Sequence, residues 1–165
     1  MKILQALAFT TLFSTGQPYA GELQGTLPMP ETASYVAECG SCHTAYAPTF
    51  LPAASWRDLM ANLANHFGDD ASLAPELRDD LLKQLERLAG DSPRAVASIT
   101  RYATRQTTGE AALRITQGGF FAFMHDEVPG SFWKRAKIGS KANCGACHPN
   151  ADQGSYLERE VRIPK

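Results

Sequence analysis

Cys39-Gly40-Ser41-Cys42-His43 and Cys144-Gly145-Ala146-Cys147-His148 are two copies of one pattern, two cysteines three apart with a histidine directly after the second. The spacing has a chemical reason. Two sulfurs so placed reach the two vinyl groups of one haem and form thioethers, and the next histidine supplies a nitrogen to the iron. Small residues between the cysteines let the backbone sit close to the porphyrin edge. All four cysteines of the chain are used in this way. The motifs therefore imply two covalently bound haem c groups, one on Cys39 and Cys42 and one on Cys144 and Cys147, with His43 and His148 as proximal iron ligands.

Two Cys-x-x-Cys pairs are also the raw material of a four-cysteine zinc site or of disulfides. The 101 residues between Cys42 and Cys144 far exceed a zinc-ribbon spacing. Neither rival explains a histidine after each pair. With four histidines in 165 residues, chance fills both positions roughly 6 times in 10,000.

Only His66 and His125 remain, and two six-coordinate irons need two further ligands. His66 lies 23 residues after His43, beside the stripe formed by Leu59 and Leu63. His125 lies 23 residues before His148 and follows Phe120, Phe121 and Phe123, which suit the wall of a haem pocket. Both are expected as axial ligands. Met60 and Met124 are the competing donors, though methionine on an apolar face is more often core filler. Loop-closure entropy favours pairing each histidine with the nearer motif over cross-pairing.

The start of the chain has the order of an export signal over residues 1–20: Lys2, an apolar run from Ile3 to Phe13, then Ser14, Gly16, Pro18 and Ala20. An N-terminal core helix is the alternative. Residues 21–34, rich in Gly, Pro, Thr and Ser, read as a flexible mature N-terminus. A short helix is expected from about Pro30-Glu31 into Cys39. The next is expected from an N-cap at Ser55 through Trp56, Leu59, Met60, Leu63 and Phe67 to a stop at Gly68. A third runs from Pro75 through Leu77, Leu81, Leu82, Leu85 and Leu88 to Gly90. A fourth is expected over about Ser92 to Thr107.

Beyond Gly109 the periodicity fades, and no strand alternation is sustained anywhere. The boundary between a helical half and an irregular half falls at about 91–110. The second half lacks the pattern for a polypeptide core and needs a staple, which a haem provides. Formal charge is −1, with 16 basic and 17 acidic residues, so no single-sign field arises and no nucleic-acid partner is expected.

The run Ser55-Trp56-Arg57-Asp58-Leu59-Met60, with Asn65-His66-Phe67-Gly68 and Asp70-Ala71-Ser72-Leu73, resembles the small bacterial dihaem cytochromes c. So do Leu113-Arg114-Ile115-Thr116 and the stretch from Asn143-Cys144 to His148 followed by Ala151-Asp152-Gln153-Gly154. The likeness covers about residues 35–165. It implies a mainly α protein with a cytochrome c-like helical domain over 35–108 and a haem-stapled domain of little regular structure over 109–165. It also implies ligand pairs His43 with His66 and His148 with His125, and a periplasmic, monomeric electron carrier. The partners implied are a small oxygen-binding monohaem cytochrome and a membrane b-type cytochrome. One departure is Gln117-Gly118-Gly119, more flexible than the family leads one to expect ahead of His125. Electron transfer is the expected function. The rival is a small dihaem peroxidase or reductase with one exchangeable axial ligand.

Overall fold

The computed structural model describes residues 23, 25–103 and 112–165. The export-signal stretch 1–20 lies outside these residues. The described residues form five α-helices joined by short 3-10 turns, and their only β-type pairing is the isolated bridge of His66 with Asp69. The architecture is mainly α.

Helix α1 (Ala33–Cys39) carries the first motif's leading cysteine at its last position. Helices α2 (Ala53–Ala61) and α3 (Pro75–Leu88) pack together. Trp56, Leu59 and Met60 of α2 share one buried cluster with Leu81 and Leu85 of α3, Tyr35 of α1 and Leu51. Each such aliphatic side chain contributes about 1.5–3 kcal/mol on burial. α3 has proline in its first turn, Glu76 near its N-terminus and Arg87 in its last turn, so its charges complement the helix dipole.

α2 departs from expectation at both ends. It begins at Ala53, and Ser55 is not its cap: the buried Ser55 Oγ donates instead to the Ala112 carbonyl at 3.0 Å. The cap comes from elsewhere, with the Asp91 carboxylate accepting the Ala53 N–H at 2.8 Å. The helix stops at Ala61, not at Phe67. Asn62 and Asn65 favour turns over helix interiors, and a 3-10 turn over Leu63–Asn65 follows.

Helix α4 (Ala97–Ala103) starts later than Ser92, because Ser92 and Ala95 are used in turns. The rest of the expected helix falls in 104–111, outside the described residues. Helix α5 (Gly119–Met124) was not anticipated, and Gly118 is its N-cap. The Gln117-Gly118-Gly119 stretch thus closes one 3-10 turn and opens a helix.

A second cluster joins the two halves. Leu23, Leu27, Ala47, Phe50 and Ile99 are buried together, with Phe120 and Tyr156 packed against them. Within 21–34, read from composition as a loose N-terminus, Leu23 and Leu27 are therefore buried. The Leu27 N–H donates to the Gly154 carbonyl at 2.8 Å. Gly154 has φ +77°, and a Cβ there would collide with the Leu27 carbonyl oxygen, so only glycine suits this crossing. By contrast, Ile138, Ala151 and Leu157 are the only buried hydrophobic residues among the described residues 112–165.

Candidate haem sites

The first motif leaves α1 at Gly40, whose N–H donates to the Val36 carbonyl at 2.9 Å. His43 follows, its ring stacked on Tyr46 with centroids 4.8 Å apart and planes at 19°. Its Nδ1 lies 2.7 Å from the Thr44 carbonyl. A carbonyl only accepts, so Nδ1 carries the proton and Nε2 keeps its lone pair for a metal.

His66 is delivered to His43 by a tight turn. Its N–H donates to the Asp69 carbonyl at 2.7 Å, and the Asp69 N–H returns a bond of 3.2 Å. Between them Phe67 has φ +56° and Gly68 φ +109°, the pair of positive values that a type I′ turn demands. Phe67 tolerates this strained backbone with its ring against His66 at 4.8 Å and the Arg114 guanidinium 4.1 Å from its centre. The His43 and His66 rings end 6.1 Å apart, with planes at 27°.

The second motif is wound into a turn. Cys144–Ala146 is 3-10, and the His148 N–H donates to the Cys144 carbonyl at 2.8 Å. Asn143 Nδ2 ties the preceding loop to the Ile138 carbonyl at 3.0 Å, and the Arg162 N–H donates to the Cys147 carbonyl at 2.8 Å. His125 sits at the C-terminal cap of α5, its Nδ1 donating to the Phe121 carbonyl at 2.9 Å. Its ring is 6.1 Å from His148, with planes at 82°. Cys144, Cys147, His125 and His148 all line one cavity, walled by Phe121, Phe132, Trp133 and Ile138.

These residues fit haem. Two imidazoles each about 2 Å from one transition metal have ring centroids on the order of 6 Å apart, and both pairs stand at 6.1 Å. His66 and His148 each keep a buried Nδ1 with no hydrogen-bond partner. Leaving such an atom unpaired costs about 1–3 kcal/mol, so protein alone does not satisfy these rings. Burial holds His66, His125 and His148 below their usual 6.5, helped at His66 by nearby His43 and at His148 by nearby His125. Neutral imidazole is the ligating form. Burial pushes the Cys39 and Cys144 thiols up to about 11. All four cysteines are free of disulfides, and among the described residues no three His, Cys, Asp or Glu side chains converge as a metal site.

The dihaem cytochrome c family profile matches residues 35–156. The chain belongs to the dihaem cytochrome c family. Two solved members resemble it along almost their whole length. The diheme cytochrome c of Shewanella baltica OS155 is 37% identical with a TM-score of 0.66, covering 82% of this chain and 95% of that one. The diheme cytochrome c from Rhodobacter sphaeroides is 35% identical with a TM-score of 0.67, covering 80% of this chain and all of that one. No functionally curated protein matches. As a dihaem cytochrome c, the protein carries two covalently bound haem c groups, and its family role is electron transport.

In this dihaem cytochrome, Met60 is sealed in the core and Met124 lines the second cavity beside His125. Trp56 is also core, its Nε1 donating to the Pro48 carbonyl at 2.8 Å. Sequence reading missed Tyr46, which stacks on His43 and donates through its hydroxyl to the Ala142 carbonyl at 2.7 Å. It also missed Thr44, whose Oγ1 accepts the Gly145 N–H at 3.2 Å and so joins the two motifs. Tyr156, 5.3 Å from the His148 ring, is a third. The only sequence signal for Tyr46 was an aromatic three residues after a proximal histidine.

Proposed function

We propose that His43 and His66 grip one iron and His125 and His148 the other, and that the protein is a periplasmic electron carrier. The observation that carries this is the common 6.1 Å spacing of the two imidazole pairs. Haem iron supplies reversible one-electron chemistry. With two imidazoles on each iron, His43 with His66 and His125 with His148, the residues would leave no open site for dioxygen or peroxide. Two imidazoles also hold a lower potential than a histidine and methionine pair, since thioether sulfur favours ferrous iron. Phe121, Trp133 and Phe132 give the cavity of the second pair a largely apolar wall, which would limit reorganisation on electron transfer.

The apolar run near the N-terminus supports export over residues 1–20, and no helix among the described residues is long and apolar enough to cross a membrane. We assign 35–108 and 109–165 to the first and second haem. The partners that the family resemblance implies are a small oxygen-binding monohaem cytochrome as acceptor and a membrane b-type cytochrome. The test is a spectroscopic redox titration with carbon monoxide added to the reduced protein. Two low-spin, low-potential centres that bind no carbon monoxide are expected. A high-spin band or stoichiometric carbon monoxide binding would favour a peroxidase or reductase instead.

A further inference from the structure

The two imidazole pairs share a spacing but not an orientation. The His43 and His66 planes lie 27° apart, whereas those of His125 and His148 lie 82° apart. Each ring is held by its own neighbours. Tyr46 stacks on His43 at 19°, and the Thr44 carbonyl fixes its Nδ1. Phe121 holds His125 twice: its ring stacks at 4.2 Å and 21°, and its carbonyl accepts from Nδ1 at 2.9 Å. Trp133 meets the same imidazole at 5.7 Å and 58°.

We propose that the chain holds its two irons in unlike ligand fields, near-parallel at the first and crossed at the second, with Phe121 the positioning residue that sets the cross. This rests on the four-histidine ligation proposed above. The physics is general. The filled π orbital of an imidazole stands perpendicular to its ring and overlaps one of two iron d orbitals of π symmetry. Parallel rings load the same orbital and split the pair. Crossed rings load one each and leave the pair nearly degenerate, with orbital angular momentum intact. Splitting stabilises the ferric form, whose upper orbital holds a single electron, so orientation by itself sets the two irons at different potentials. Hydrogen bonds and packing around a ligand are how a protein exerts such control.

Electron paramagnetic resonance of the frozen, oxidised holoprotein tests this. One rhombic three-line low-spin spectrum and one broad, strongly anisotropic low-field feature are expected in equal amounts. Two rhombic spectra would overturn the crossed assignment while leaving the ligands standing. A high-spin signal from either iron would overturn the ligation itself. In Phe121→Leu and in Phe121→Met, which fills the space without a flat face, the low-field feature should move towards the rhombic form. The first spectrum should stay fixed, and Phe121→Tyr should keep the native pattern. An unmoved feature in both Phe121→Leu and Phe121→Met would remove Phe121 from this role.

Discussion

At each candidate centre one histidine is anchored and its counterpart is not. His43 and His125 donate Nδ1 protons to carbonyls, while His66 and His148 bury an Nδ1 that no protein atom satisfies. Replacing His66 or His125 with alanine should open one axial position. Each variant should bind one carbon monoxide per molecule when reduced, against none for the parent, as read by optical titration. Proton competition follows from the same rings. His66, His125 and His148 titrate below 6.5 in the fold, so below that pH the unfolded chain takes up protons the folded one refuses. Stability is therefore complete above pH 6.5 and falls as the medium is acidified. Thermal melts at neutral pH and about one unit below 6.5 should show Tm dropping with pH; a rise would contradict the assignment. The motifs were legible because bond chemistry fixes their spacing. Tyr46 and Thr44 were not, because their relevance comes from Ala142 and Gly145 arriving from the far end of the chain. Tyr156 was not, because no regular period over the irregular stretch after His148 shows which side chain folds back on that ring.

Among the elements, α3 was readable end to end: Pro75 fixes its start, leucines at helical spacing mark its inner face, and Gly90 follows its end. α2 was not, since its cap, Asp91, is remote in sequence and its end is decided by two asparagines and a strained turn. α5 and the 3-10 turns are too short to show any period. Two tests belong at this level. Asp91→Ala removes the acceptor of the Ala53 N–H and should cost about 1 kcal/mol. Gly68→Ala places a side chain at φ +109° and should cost on the order of 1–2 kcal/mol. Loss of His66 ligation should accompany the second change and not the first, as seen in the low-spin absorption band.

Over the whole molecule the apolar core is lopsided. The buried members of both clusters come from the first half, with Phe120 and Tyr156 only packed against the second, while the buried hydrophobic residues of 112–165 are Ile138, Ala151 and Leu157 alone. Cys144→Ala together with Cys147→Ala removes the covalent anchor of the second haem. Amide exchange across 112–165 should then become fast, with α2 and α3 still protected. Native-like protection of that half would show that its polypeptide packing suffices. The crossing of Leu27 over Gly154 sets a further condition. Leu27 and Gly154 lie 127 residues apart in a chain of 165, so most of the polypeptide must have been delivered before they meet. The segment around Leu27 has no seat until the turn at Gly154 exists, so a product truncated ahead of that turn would leave it open to proteases.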